Sequence, residues 1–260
     1  MNLRLKRVKT IIVTAVLSFT FVTTAFSHEA AKSLLAPKRL TATYGMAKSP
    51  AYGARAVELG GVSNDDVERV EYLVQLVNNS AVPSINQFWT EQFAAAKLSY
   101  TPPRVIPYYA LTQTPCGTAQ PMKTGPFYCP QSNTIYYDAI FIAQRMRSAS
   151  AAVGQSSEFA AVTIIAHEWG HAVQRQLGLR FRTTIEMELQ ADALAGAFAR
   201  WAYYEKILDP WDIPMARYVL ATDGDTLGVE WYDSSAHGKP EDRVNAFLLG
   251  YNKGLRAVLG

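Results

Sequence analysis

The stretch TIIAHEWGHAVQRQ, residues 163–176, places two histidines four positions apart with a glutamate beside the first. On a helix, residues four apart lie on one face, so the imidazoles of His167 and His171 can converge on one metal ion. Glu168 can then act beside that ion as a general base. The alternative is a pair of surface or capped core histidines that only share a helix. The chain has four histidines, His28, His167, His171 and His237, and this pair accounts for half of them.

A third metal ligand has to come from another segment. Catalytic zinc takes three protein ligands and keeps one position open, and Gln174 and Leu177 stand where an extended motif would continue. In the next predicted helix, Glu188 and Asp192 are again four apart. Glu188 is the predicted ligand and Asp192 the residue that orients a zinc-bound imidazole, whereas Glu186 is a rival ligand that points elsewhere. Acids at helical spacing also mark solvated faces, but the apolar neighbours favour a buried helix.

The first 27 residues have the pattern of an export signal. A basic start precedes the apolar run IIVTAVLSFTFVTTAF (11–26), which is short for a membrane span, and a small-residue site precedes His28. Cleavage before His28 is expected, with retention as an N-terminal anchor as the alternative. Either outcome leaves the protein extracytoplasmic, in the periplasm or secreted, and a membrane is a partner only if the segment is retained. Removing its four basic residues from 25 Lys and Arg leaves 21 against 22 Asp and Glu, which does not support a nucleic-acid partner.

The two cysteines, Cys116 and Cys129, are a close pair in a chain with an export signal. In an oxidising compartment such a pair forms one disulfide. The rival prediction is a two-cysteine metal site, although the spacing is not CxxC and the sequence has no further cysteine.

Periodicity predicts the architecture. Residues 28–62 have no sustained period and are predicted to be a flexible leader, and residues 63–260 to be one domain. Apolar residues recur at helical spacing in five segments, at 64–79, 83–98, 156–178, 185–207 and 239–259. Three prolines keep SYTPPRVIPYYALTQ (99–113) extended, and GPFYCPQSNTIYYDAIF (125–141) is typical of two short strands around a turn. The prediction is an α+β fold, mostly helical, with a small antiparallel or mixed sheet beside the helix that carries His167.

Four motifs follow one another along the chain. They are CGTAQPMKTGPFYCPQSNTIYYD (116–138), HEWGHAVQ (167–174), ELQADALAG (188–196) and SSAHGKPEDRVNAFLLGY (234–251). In this order they resemble the bacterial neutral zinc metallopeptidase family over about residues 78–255. The chain departs from the family pattern at three places outside the proposed ligands, namely Ala172, Ala193 and Ala246-Phe247.

The resemblance implies a role for each matching residue. His167, His171 and Glu188 are implied as zinc ligands and Glu168 as the catalytic base. A zincin-like fold is implied as well, in which a substrate strand runs beside a sheet edge above the metal helix.

The predicted function is that of an exported zinc metallopeptidase, gluzincin-like, with about one Zn²⁺ per chain and a peptide or protein as substrate. Hydrolysis would use a zinc-activated water, with Glu168 as general base. One alternative is a non-catalytic extracytoplasmic protein that zinc stabilises. Another is a zinc hydrolase of a non-peptide amide, such as a cell-wall linkage.

His237 is the other histidine of the predicted domain and a candidate catalytic residue. Gly238 allows a sharp turn, so the imidazole can face a cleft and donate a hydrogen bond to the oxyanion of a tetrahedral intermediate. The alternative is a histidine that ties the turn to the body of the protein, with Arg243 as its neighbour.

Overall fold

The computed structural model describes residues 64–224 and 237–259. The export signal or anchor predicted at 1–27 and the leader predicted at 28–62 lie outside the described residues, so both stay predictions. Among the described residues, no helix is both long and apolar enough to cross a membrane.

The described chain begins with one long helical stretch rather than the two separate helices that the sequence predicted. Helix α1 (Asn64–Leu76) passes through a π-helical turn (Val77–Ala81) into helix α2 (Val82–Ala95). The backbone N–H of Val82 bonds the carbonyl of Val77, five residues back. Pro83, which has no N–H to donate, follows directly, so the wider turn carries the helix past the proline instead of ending it.

Five short strands follow: β1 (Arg104–Tyr108), β2 (Thr112–Thr114), β3 (Gly117–Ala119), β4 (Phe127–Cys129) and β5 (Thr134–Asp138). In the main sheet β5 pairs in parallel with β1 and antiparallel with β4, so the order is β1-β5-β4. Strands β2 and β3 form a separate antiparallel hairpin. The described chain is mostly helical with a small mixed sheet, which confirms the predicted α+β class.

Helix α3 (Ala139–Val153) corrects one sequence prediction. The second of the two predicted strands was drawn through Phe141, but β5 ends at Asp138. The carboxylate of Asp138 accepts hydrogen bonds from the backbone N–H groups of Ile140 and Phe141, at 3.1 and 3.0 Å, and so caps a new helix. Its second oxygen accepts from the N–H of Met122 at 2.5 Å and ties the preceding loop to the start of α3.

The remaining helices are α4 (Phe159–Gln176), α5 (Thr184–Tyr204), α6 (Asp212–Thr222), α7 (Pro240–Lys253) and α8 (Leu255–Leu259). The predictions at 156–178 and 185–207 are confirmed as α4 and α5, with small differences at the ends. The helix predicted at 239–259 is interrupted, because Gly254, with φ of 75°, ends α7. Helix α6 has no counterpart in the prediction.

Small residues let α4, α5 and α7 approach one another closely. A Cβ atom added to Gly170 of α4 would lie 3.0 Å from the Cα of Ala191 on α5. A Cβ added to Gly250 of α7 would lie only 1.9 Å from the carbonyl oxygen of Ala193 on α5. These two crossings bring the polar side chains of three helices within reach of one another.

Candidate metal centre and adjoining cleft

Two imidazoles of α4 and one carboxylate of α5 meet at the candidate metal centre. The Nε2 atom of His167 lies 3.2 Å from Oε2 of Glu188, and Nε2 of His171 lies 3.2 Å from Oε1 of the same carboxylate. The two rings are nearly perpendicular, at 89°, with their centroids 4.9 Å apart. The i, i+4 spacing on α4 therefore brings both imidazoles to one carboxylate of the neighbouring helix.

The donor atoms of His167, His171 and Glu188 fit a zinc ion. One donor atom from each lies within 4.8 Å of the other two. In a tetrahedral site with bonds of about 2.0 to 2.2 Å, neighbouring donors are roughly 3.3 Å apart. The two His–Glu separations of 3.2 Å agree with that geometry. Two imidazoles and one carboxylate are also a donor set that catalytic zinc uses.

A hydrogen bond at the opposite nitrogen orients each imidazole. Nδ1 of His167 donates to Oδ1 of Asp192 at 2.7 Å, and Nδ1 of His171 donates to Oε1 of Gln174 at 2.9 Å. The amide of Gln174 is held in turn, since its Nε2 donates to the carbonyl of Met187 at 2.7 Å. With both Nδ1 atoms engaged, each Nε2 is the nitrogen that faces Glu188 and can bind a metal.

Arg243 of α7 neutralises Asp192 inside the protein. Its Nε and Nη2 atoms donate to the two carboxylate oxygens of Asp192 at 2.8 and 2.9 Å. Asp192 is fully buried, and Arg243 is 5% exposed. Because an unpaired charge at this depth is strongly destabilising, the pair is a condition for placing a carboxylate behind His167.

The pKa values of the centre reflect close contacts between carboxylates and imidazoles. Burial by itself lowers the pKa of His167, but Asp192 and Glu188 outweigh it and raise that pKa to about 10. Burial also lowers the pKa of His171, and the contact with Glu188 again reverses the sign and raises it. Burial raises the pKa of Glu188, but the neighbouring histidines hold it far below its usual range. A bound metal would take the place of the protons on Nε2, because metal binding at such ligands releases protons.

Glu168 lies beside the centre and lines a cleft of about 320 Å³. Its side chain is buried from bulk solvent, with 8% of the residue exposed. No described residue forms a hydrogen bond or ion pair with its carboxylate. A carboxylate that is close to the ligands but not committed to a protein partner can accept a proton from a substrate molecule.

His237 reaches the same point from the segment that precedes α7. Its Nδ1 lies 3.2 Å from Oε2 of Glu188, and its side chain is 55% exposed. It lines the cleft together with Glu168. It is not one of the three residues that form the candidate ligand group. Arg243, its predicted neighbour in the alternative interpretation, lines the same cleft and also bonds Asp192.

The rival site residues lie elsewhere. Glu186 forms an exposed ion pair with Arg182, with Nη2 and Oε1 2.6 Å apart, and takes no part in the centre. Cys116 and Cys129 form a disulfide, as the sequence predicted, so the rival two-cysteine metal site is not formed. The disulfide closes the loop that contains residues 122–126, and this segment forms one wall of the cleft.

Sequence reasoning missed three features of the site. It did not pair Gln174 with His171, although the i, i+3 spacing was a usable signal. It did not pair Arg243 with Asp192, which lies 51 residues away. It also missed the cleft wall formed by α3 and α6, where Arg145 Nε lies 2.6 Å from Oδ1 of Asp223.

The chain is similar to proteins of two bacteria. The Uncharacterized protein YpfJ of Escherichia coli (strain K12) is 30% identical over 187 residues, which are 64% of this chain and 63% of that protein. The Uncharacterized protein Rv2575 of Mycobacterium tuberculosis (strain ATCC 25618 / H37Rv) is 31% identical over 182 residues, which are 60% of each chain. The chain thus spans less than two thirds of the length of these relatives. No solved structure is similar enough to match.

A family model matches most of the chain. The family is described as "Putative neutral zinc metallopeptidase", and the match covers residues 37–258. It includes the three candidate ligands, Glu168 and His237, and it is the family that the four sequence motifs resemble. The chain therefore belongs to the putative neutral zinc metallopeptidase family.

Proposed function

We propose that the protein is a zinc-dependent peptidase in which His167, His171 and Glu188 hold one ion and Glu168 is the general base. The observation that carries the proposal is the convergence of these three donors beside an uncommitted carboxylate that lines a cleft. The candidate ligand group has three residues, and His237, whose Nδ1 also lies 3.2 Å from Oε2 of Glu188, is half-exposed and outside that group. Because a closed structural zinc site takes four protein ligands, this arrangement supports catalysis over a purely stabilising metal.

Each side chain has a task in the proposed reaction. Zinc, when bound, supplies a Lewis acid that polarises a carbonyl group and lowers the pKa of water. Glu168 accepts the proton of the attacking water and holds it until the leaving amine takes it. His237 faces the same cleft, half-exposed, and its N–H donates to the oxygen that gains negative charge.

An extended peptide suits the surroundings of the centre. Within the described chain, β4 pairs with β5 on one edge and has no strand on the other. Strand β4 follows directly on residues 122–126, which line the cleft. A free strand edge binds an extended peptide through main-chain hydrogen bonds. We therefore favour a peptide or protein substrate over an isolated amide.

An oxidising, extracytoplasmic compartment is part of the proposal. The disulfide between Cys116 and Cys129 supports it, because such bonds persist outside the cytoplasm and are rare within it. The export signal predicted from residues 1–27 points the same way.

Glu168→Gln tests the assignment of the base. The protein and the variant are loaded with zinc and incubated with a mixed peptide library and, separately, with peptidoglycan fragments, and products are identified by mass spectrometry. An amide cannot accept the proton, so hydrolysis should fall by at least about a hundredfold while zinc content and thermal stability stay unchanged. A chelator should abolish the activity of the natural protein, and zinc should restore it.

Glu205→Gln is the matched control, since Glu205 is an exposed acid at the end of α5. It should hydrolyse at the unmodified rate. Hydrolysis by Glu168→Gln at a similar rate would contradict the proposed base. Hydrolysis of the peptidoglycan fragments without hydrolysis of the peptide library would favour the alternative function, a hydrolase of a cell-wall linkage.

A further inference from the structure

The cleft lies beside the metal centre, next to His167. Its lining includes Glu168 and Ile164, which lies one helical turn before Glu168 on the same face of α4. His171, one turn further along in the other direction, does not line it. In the proposed function Glu168 passes its proton to the leaving amine. The cleft beside Glu168 therefore receives the part of the substrate that carries this amine.

One part of the cleft wall, formed by α3, α4 and α6, combines apolar side chains with one ion pair. Phe141 of α3, Ile164 of α4 and the pair Val219 and Leu220 of α6 form the apolar part. The guanidinium of Arg145 stands among them. Its Cζ lies 4.6 Å from the centroid of the Phe141 ring, and the Arg145 side chain is 33% exposed.

The ion pair leaves most of the donors of Arg145 unused. Its Nε lies 2.6 Å from Oδ1 of Asp223 and forms the ion pair. No described residue accepts a hydrogen bond from Nη1 or Nη2 of Arg145. A guanidinium presents its donors as a planar fork that matches a carboxylate. Lys123 also lines this cleft and adds a positive charge to it.

Resting on the proposed function, we infer that Arg145 is a specificity-determining residue that binds a carboxylate of the substrate on the leaving-amine side of the scissile bond. Two parts of a peptide can supply this group. One is the side chain of an Asp or Glu residue, and the other is the C-terminal carboxylate of a short leaving fragment. In both cases the apolar side chains of the wall contact the aliphatic or aromatic part of the substrate residue, and Arg145 binds its carboxylate.

Paired peptide substrates separate these two sources. In the first pair the residue after the scissile bond is Glu or Gln, and the C-terminus is amidated. In the second pair that residue is Gln, and the chain ends beyond it as a free acid or as an amide. In the pair that contains the recognised carboxylate, the substrate with the free carboxylate should have a kcat/KM about tenfold or more above that of its neutral partner, as expected for a hydrogen bond to a charged group. In the other pair the two substrates should have equal kcat/KM. Arg145→Gln should remove this preference through KM, so that the charged and the neutral substrate of the pair with the recognised carboxylate are hydrolysed with equal kcat/KM.

Two further variants separate recognition from stability. Arg145→Lys keeps the charge but not the fork, and it should retain only part of the preference. Arg147→Gln is the matched control, because Arg147 is exposed on the same helix two residues on and does not line the cleft. It should keep the full preference. If Arg145→Gln lowers all substrates alike, in step with lost stability, the ion pair is only a clamp between α3 and α6, and the inference is overturned.

A binding experiment keeps the inference independent of turnover. Two hydroxamate dipeptides that differ only in a terminal carboxylate or carboxamide are titrated calorimetrically into the zinc-loaded protein. The natural protein and Arg147→Gln should bind the carboxylate form about tenfold more tightly than the carboxamide form. Arg145→Gln should bind the two forms with equal affinity. Equal affinities for the natural protein, or binding of neither probe, overturn the inference. Selective binding without hydrolysis of any peptide would instead refute the proposed peptidase activity alone.

Discussion

The two sides of the candidate centre are built differently. On the helix side, α4, α5 and α7 cross at small residues, and the ion pair between Asp192 and Arg243 is almost fully buried. The cleft side is formed by loops and by partly exposed side chains. The side chain of His237 is 55% exposed, and that of Arg145 is 33% exposed. The helix side orients the ligands through buried side chains, whereas the cleft side presents more exposed side chains to a substrate.

This difference separates stability from selectivity. Removing one partner of a buried ion pair leaves a charge without compensation, which destabilises the fold strongly. Removing an exposed or half-exposed charge has a much smaller effect on stability. Substitutions on the helix side should therefore change metal content and the free energy of unfolding, and those on the cleft side should change turnover and substrate preference.

The largest expected effect is the loss of the metal from the helix side. His171→Ala removes one of two imidazole ligands, and the remaining donors are too few for a stable site. Metal analysis of the purified variant should find zinc lost, against about one ion per chain in the natural protein. His237→Ala, on the cleft side, is the control and should keep its zinc. Full occupancy in His171→Ala would rule out the ligand assignment.

Arg243→Leu should have the next largest effect, on folding stability. It leaves the carboxylate of Asp192 buried without its guanidinium, and the expected loss in the free energy of unfolding is about 3 to 5 kcal/mol. Urea unfolding measures it. The control is Arg182→Leu, which breaks the exposed pair with Glu186 and should cost less than about 1 kcal/mol. Similar losses in the two variants would contradict the contrast between the two sides.

Loss of the disulfide tests the wall of the cleft. The double substitution of Cys116 and Cys129 by Ser opens a loop whose ends are 13 residues apart, which should lower the free energy of unfolding by about 3 kcal/mol. Zinc should stay bound, because no ligand belongs to this loop, while KM should rise because residues 122–126 line the cleft. Unfolding curves, zinc analysis and steady-state kinetics check the three expectations. An unchanged KM would show that the disulfide does not shape the cleft.

His237→Ala should have the smallest effect on zinc content and stability, but it should clearly lower turnover. Removing one donor to an oxyanion raises the barrier by about 2.7 kcal/mol, or roughly a hundredfold in turnover. Zinc content and melting temperature should stay as they are, because the side chain is half-exposed. His237→Gln, which keeps an N–H donor, should recover part of the rate. Unchanged turnover in His237→Ala would assign the residue to the scaffold.

The sequence predicted correctly which residues share a helix face, because that depends only on spacing within about one helical turn. The pairs His167/His171 and Glu188/Asp192 share a face because the helix repeats every 3.6 residues, whatever surrounds it. Sequence reasoning failed where capping or hydrogen bonding outweighs the apolar pattern. Asp138 converts an expected strand into the start of α3 by binding two backbone N–H groups.

The sequence by itself determined which side chains are neighbours on a helix and which cysteines can pair, because these relations depend on local geometry and short loops. Only the tertiary structure decided that α4 and α5 cross closely enough to place both Nε2 atoms 3.2 Å from Glu188. It also decided that Arg243 neutralises Asp192 and that Arg145 enters the cleft beside Glu168. Such contacts join residues far apart in the chain, and their distances follow from how the helices pack, which local spacing does not specify.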